Sequence, residues 1–535
     1  MRRNTVRGTL AAAALLSLAV AGCGDPPQQA GADEVIIAFP SDVDTVDPHQ
    51  FRSVAAYGVV GNIYGTLLQE EYAAPAEGVL EYTGRSVPYL AESANWNDTK
   101  TVLTLKLRPD LKFADGSAVA AEDVVYSLQR ALSDVGYVSA VGAWFNVKDP
   151  AKDIVAVDRS TVELRVTHYS ALIEMFLTFQ IFAVLDKSTA EAKAATDDSW
   201  SAKFFAKDAT ESGPYVVDSL AEGQTTLSKN PNFTATDLSD APDKVVVKNM
   251  PDQQQAFLAL QNGAVDMVYG LTPDIAQAVE KDANLKLYDL PYSDIVYLGM
   301  NNKDPVLKDV RVRQAISYLM PYDALRTEVM KGYAGAAYGA VPYPMRDSLD
   351  EKGDRVAYPT DVEKAKQLLS EAGVAPGELS LTLSVPATEL SLRQSAVFIQ
   401  SALQQGGIAV KLNEMNDAEF NSDLGKMQLY IDSWYSWGQD SVYQLFFLLK
   451  TGLFTNYTNF SNADVDRLIE QAMATSDTAE RSRLAKQAQQ IVIDQAPWAF
   501  LFTRNMLVGA QAGVSGITHS NDANLRFDRL RVAAE

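Results

Sequence analysis

The chain has 535 residues, 47% of them hydrophobic, and a formal net charge of −22. That length and apolar content predict large buried cores and more than one domain. The acidity excludes a nucleic-acid binder, since the phosphates would be repelled, and fits a solubilising surface.

Arg2, Arg3 and Arg7 form a basic n-region ahead of an apolar stretch from Leu10 to Val20. The stretch is too short to span a bilayer, so residues 1–22 read as a signal peptide. Val20-Ala21-Gly22 puts small residues directly before Cys23, the single cysteine of the chain. This resembles a bacterial lipobox and predicts a lipid on Cys23, with residues 23–33 as a polar tether. The alternative is an ordinary secretory signal with a chance cysteine. A lone cysteine excludes an internal disulfide. Two or more acyl chains would anchor the protein stably to a membrane.

Val35 to Phe39 is a continuous apolar run, as in a strand buried on both faces. Thr101 to Leu107 alternates, with Leu103, Leu105 and Leu107 on one face. Asp115-Gly116 marks a turn, and Glu122 to Leu132 has Val125, Leu128 and Leu132 at helical spacing. Ser212 to Val217 starts a strand that turns and continues from Gly223 to Ser228. Lys244 to Lys248 is a strand, Gln253 to Gln261 a helix stopped at Gly263, and Val265 to Tyr269 a strand. This order predicts an α/β sheet with crossover helices.

Tyr297 to Asn301 begins a second lobe. Val312, Ala315, Ile316 and Leu319 form a helix face. Thr360 and Glu363 read as a capping box for a helix ended by Gly373. Ile408, Val410 and Leu412 alternate as a strand, and Leu429, Ile431 and Ser433 lead into an aromatic loop. Ser461 and Asp464 cap a helix carrying Val465, Leu468, Ile469 and Ala472. No fixed-period repeat occurs, so a solenoid is excluded.

An enzyme is not expected. The three histidines, His49, His168 and His519, lie in no recognisable catalytic motif. No G-x-S-x-G, H-E-x-x-H or P-loop pattern occurs. Scattered histidines and one cysteine predict no metal site and no cofactor.

Leu105-Lys106-Leu107-Arg108, Phe113-Ala114-Asp115-Gly116 and Ala121-Glu122-Asp123-Val124 follow one another inside Leu90–Arg130. Ser212-Gly213-Pro214-Tyr215, then Asn301 with Asp309-Val310-Arg311-Val312-Arg313-Gln314-Ala315, then Ala496-Pro497-Trp498 follow in order. Together they resemble bacterial extracellular solute-binding protein family 5, the peptide/nickel/opine-type ABC substrate-binding lipoproteins. The resemblance implies an α/β, two-lobe periplasmic-binding-protein-like fold of type II, large peptide-binding subclass, with an extra subdomain in the first lobe. The expected division is 34–290 for lobe I with its inserted subdomain, 291–497 for lobe II, and 498–535 returning to lobe I. Arg108, Asp115 and Arg313 are expected to fix turns and helix ends.

The resemblance also implies the function: a monomer captures a solute, in the first instance an oligopeptide, between two closing lobes. It delivers the solute to a membrane permease and its ATPase. The compartment is extracytoplasmic, on the cell membrane or in the periplasmic space. Within this class an opine-like conjugate, an oligosaccharide or a metal chelate stays open as the solute. A regulatory lipoprotein that no longer transports is the remaining alternative.

The candidate ligand site is Asp432 to Asp440, beyond the end of an apolar strand. Trp434, Tyr435 and Trp437 are costly to leave in water, and Ser433, Ser436, Gly438 and Gln439 break a core pattern; a packing corner is the bland alternative. In the family's peptide binders the tryptophan corresponding to Trp434 is followed three positions later by an aspartate, which pairs with the peptide's α-ammonium. This chain has Trp437 there. Asp440 is one substitute, from a shifted position; a cation–π face or a stacking surface on Trp437 is another. Phe51, Arg52 and Tyr57 follow the first strand, where the family brings ligand backbone close. Arg52 suits a carboxylate or phosphate, or is a surface arginine. Tyr137 and Trp144 flank a glycine-rich loop and are expected on the first lobe's side of the cleft.

Overall fold

The computed structural model describes residues 34–73, 78–135, 145–436, 438, 440–519 and 524–533. Their centre is a mixed sheet of eleven strands. In one half, Glu34–Phe39 pairs in parallel with Lys244–Asn249 and Met267–Tyr269. The hairpin Tyr215–Ala221 with Gln224–Lys229 extends it antiparallel. In the other half, Ser380–Pro386 lies parallel between Ala409–Met415 and Leu429–Tyr435. Two long antiparallel strands, Leu285–Met300 and Trp498–Gln511, run through both halves and join them.

The apolar run of the first strand is buried on both faces as expected. Val35, Ile37 and Phe39 enter one core, and Ile36 and Ala38 another. That second core also holds Ala256 and Leu260 of helix Gln253–Gln261 and Ile275 and Val279 of helix Pro273–Glu280. A third core lies under the other half of the sheet. There Val296, Leu298 and Met300 meet Val312, Ala315 and Ile316 of helix Val310–Tyr318. Outside the large sheet, Ala91–Trp96, Val102–Leu107, Thr161–Arg165 and Ile154–Asp158 make a separate four-stranded antiparallel sheet. Its Leu103, Leu105 and Leu107 are buried, as the alternation requires.

Several local expectations are corrected. Helix Ala121–Ala131 buries Val124 and Leu128, while Val125 is only half-buried. The helix Val362–Glu371 is capped by Asp361, which accepts from Lys364 N at 2.8 Å; Thr360 instead donates to Met320 O. Helix Ala463–Ala474 is capped by Asn462 and not by Ser461. In both cases the neighbouring residue is an equally good cap, so sequence leaves a one-residue ambiguity. The strand read from Tyr297 onward begins at Leu285, so residue 291 lies inside it.

The motif residues are structural, as expected. Arg108 Nε donates to Tyr89 O at 2.5 Å, and Asp115 Oδ1 accepts from Ser117 N at 2.8 Å. Arg313 donates to Gln495 O and Ala496 O at the end of helix Thr478–Gln495, and to Leu307 O and Lys308 O. Such carbonyls have no partner inside their own helix.

Candidate functional site

The strand Leu429–Tyr435 alternates strictly. Leu429 and Ile431 point into the core it shares with Val296 and Leu298, whereas Tyr430 points the other way. The period of two puts Asp432 and Trp434 on the Tyr430 side. Across the ladder Tyr297 faces Asp432, Ile295 faces Trp434, and Asp294 faces Tyr435. Tyr435 ends the strand 42% exposed.

The loop beyond is pinned: Ser436 N donates to Ser293 O at 3.0 Å, and Ser436 Oγ to Gly438 O at 2.8 Å. Asp440 then starts helix Ser441–Leu449, its Oδ1 accepting from Val442 N at 2.9 Å and Tyr443 N at 3.0 Å. Its other oxygen pairs with Arg481 and lies 3.6 Å from Arg346. Burial alone pushes this carboxyl up, but the Arg481 charge beside it holds it below the usual range. The expectation that Asp440 supplies a spare carboxylate is therefore corrected: it caps a helix and neutralises a buried arginine.

This loop meets the first half of the chain. A side chain at Gly438 would collide with Met175 and come within 3.1 Å of the Phe179 ring. Phe176 packs edge-on to Tyr443 with ring centroids 5.9 Å apart, and Ala171 N donates to Met473 O at 3.0 Å. Trp434 leans on Phe447 at 4.9 Å, which stacks on Tyr443 at 5.6 Å. The Trp434 Nε1–H is buried with no acceptor.

Asp432 has a distinct environment. Its carboxylate accepts from Ser433 N at 2.8 Å and lies 3.5 Å from the Tyr297 hydroxyl. Tyr297 itself stacks on Trp498 at 3.9 Å. Burial pushes the Asp432 carboxyl up to about 6, against the hydrogen bond from Ser433.

Phe51 and Tyr57 come together, ring centroids 5.3 Å apart, with Phe51 buried. Arg52 is exposed, and its backbone N–H donates to Asp44 at 3.1 Å. Phe51 belongs to the large core against which Tyr57 and Trp434 also pack. Cys23, Tyr137, Trp144, Trp437 and Gln439 lie outside the described residues. Sequence reading missed Met175 and Phe179, Tyr297 opposite Asp432, and Arg481 on Asp440. None of these contacts had a local signal; only the capping role of Asp440 did, since an aspartate directly before an apolar helix is a capping pattern.

The profile of bacterial extracellular solute-binding proteins, family 5, matches residues 85–456, and the chain belongs to that family. A probable D,D-dipeptide-binding periplasmic protein of Escherichia coli is 27% identical over 90% of this chain and 91% of its own length. A glutathione-binding protein of the same species is 25% identical over 99% of both chains. A Helicobacter pylori periplasmic binding protein, solved with the peptide STSA, superposes with a TM-score of 0.78. It shares 23% identity, with 94% of this chain and 98% of the other covered. The architecture is thus the two-lobe type II fold of the peptide-binding subclass. The contacts of Gly438, Tyr443 and Met473 with residues 171–179 form a seam between segments far apart in the chain.

Proposed function

We propose that this chain is the solute-capturing lipoprotein of an ABC importer and that its solute is an oligopeptide. The observation that carries the reading is the seam: the strand end bearing Asp432, Trp434 and Tyr435 leads into a loop of one lobe packed on Met175 and Phe179 of the other. The names of its relatives, which bind a D,D-dipeptide and glutathione, support a peptide-like solute.

In this reading lobe I is 34–290 with 498–535, and lobe II is 291–497. The two long strands between them are the hinge. Trp434, Tyr435, Trp437 and Gln439 meet the solute from one side, and Phe51, Arg52, Tyr57, Tyr137 and Trp144 from the other. Backbone hydrogen bonds of an extended peptide give affinity without reading its side chains. Cys23 carries the lipid that keeps the monomer near the permease and its ATPase.

The test is a thermal-shift screen of the chain lacking residues 1–23, stripped of co-purified solute. A ligand at about 100 times its dissociation constant adds roughly 2.7 kcal/mol. Free peptides are expected to raise the melting temperature. A shift with oligosaccharides, opine-like conjugates or nickel chelates, and none with peptides, would replace the peptide reading.

A further inference from the structure

Helix Leu390–Gln405 carries two apolar faces. Leu392, Ala396, Ile399 and Leu403 are buried in the core under its half of the sheet. On the opposite arc Leu390, Gln394, Val397, Phe398 and Ser401 follow at helical spacing and face solvent. Leu390 is 52% exposed, Val397 57% and Phe398 36%. Among the described residues only eight large hydrophobic side chains are exposed to this degree, so three on one helix face is a cluster and not scatter. The helix is also nearly uncharged. Arg393 is its one charged residue in sixteen, lies off this arc and pairs with Glu414. The chain as a whole is 21% charged, with a net charge of −22.

Apolar side chains gathered on a solvent face and free of charge mark an interaction surface. Its size says which kind. The three side chains expose on the order of 250 Å², far below the ~800 Å² per partner of a stable interface. A permanent second copy of this chain is not held by so little; a partner that docks briefly and leaves is.

Its place says which partner. Strand Ser380–Pro386 runs parallel to Leu429–Tyr435, so both end at one edge of the sheet. The helix starts at that edge. Glu389, directly before it, reaches Arg504, and Arg504 also donates to the Ser433 hydroxyl next to Trp434. Leu390 therefore opens the apolar face beside the strand end that carries the exposed Tyr435. A permease that receives the solute must meet the capturing chain at the rim from which the solute leaves.

We propose that the face of Leu390, Val397 and Phe398 is a docking surface for the membrane-embedded permease, and that it takes an uncharged, apolar patch of the permease's extracytoplasmic side. This rests on the reading of the chain as the capturing component of an importer. The contact is apolar, so it persists at salt concentrations that screen surface charges.

The test is site-specific photocrosslinking of the full-length protein in the cells from which it comes. p-Benzoylphenylalanine replaces Phe398 or, as control, Leu258, an exposed apolar side chain of helix Gln253–Gln261. The expected product joins position 398 to an integral membrane subunit of an ABC importer, at least about tenfold above the yield from position 258. Val397→Glu in the crosslinking chain should cut that yield by about tenfold or more, while the melting temperature stays within a few degrees, because the side chain is exposed. A product joined to a second copy of this chain, equal yields from both positions, or no product overturns the proposal. The readout does not involve the solute: a protein that binds no peptide in the thermal-shift screen but crosslinks to a permease loses the peptide reading and keeps this one.

Discussion

Arg504 Nε donates to Asp294 Oδ2 at 2.6 Å, tying the two long strands together next to the irregular pairing between Pro291 and Asp294. Asp294 is 1% exposed and also accepts from the Tyr292 hydroxyl at 3.1 Å. A buried carboxylate needs a counter-charge, and here it is provided by the partner strand.

Removing that counter-charge should be expensive. Arg504→Met leaves Asp294 buried and unpaired and is expected to destabilise by about 3 kcal/mol. The double variant Arg504→Met with Asp294→Asn should recover part of the loss. Urea unfolding of the four proteins of this cycle measures the coupling; independent, additive effects would show that the pair does not hold the strands.

The ion pair of Asp440 with Arg481 predicts acid sensitivity. Asp440 is held below its ordinary range, so its contribution is present above the unfolded value of about 4 and is lost as pH falls below it. Asp440→Ala strands Arg481 and removes a helix cap, a loss of about 3–5 kcal/mol. Thermal melts between pH 3 and pH 7 should show wild type losing stability at the acid end and the variant losing less over the same range.

Asp432 acts with the opposite sign. Its folded value of about 6 lies above the unfolded one, so the folded state binds a proton more readily. Its contribution to the solute-free protein therefore declines as pH rises from about 4 to about 6 and stays low above that. Asp432→Asn removes the charge and is expected to raise stability at pH 7 by about 2 kcal/mol. Chemical denaturation at pH 7 checks this, and a destabilised variant would mean that the carboxylate is better paired than its surroundings indicate.

Gly438 leaves no room for a side chain against Met175 and Phe179. A valine there meets Met175 and Phe179. Gly438→Val should weaken solute binding about tenfold or more, while the solute-free melting temperature stays within a few degrees, as expected where the proposed lobe closure is what brings the two segments together. Calorimetry and melting together check it. A large drop in melting temperature would place the contact in the solute-free state as well.

The lipid anchor is tested on Cys23. Cys23→Ser should move the protein from the membrane to the soluble fraction on cell fractionation. Retention in the membrane would contradict lipidation as the anchor.

Much of the fold is local and therefore legible. Val35 to Phe39 announces a strand buried twice over, and Leu103, Leu105 and Leu107 announce one buried face. The strand Leu285–Met300 was hidden because Pro291, Ser293 and Asp294 interrupt its apolar pattern, and its partner lies far along the chain. The site was legible as a segment, not as an arrangement. Trp434 and Asp440 stand out by composition, but the commitment of Asp440 to Arg481 arises only when helix Thr478–Gln495 packs against the helix that Asp440 starts. Met175 and Phe179 carry no signal of the glycine they meet, because that contact forms only when segments far apart in the chain fold together.

The central claim is that a solute is enclosed by closure of two lobes over the seam. Small-angle X-ray scattering of stripped protein, alone and with a saturating pool of free tripeptides, tests it directly. The account predicts a smaller radius of gyration in the loaded sample. An identical profile with and without the pool would contradict it.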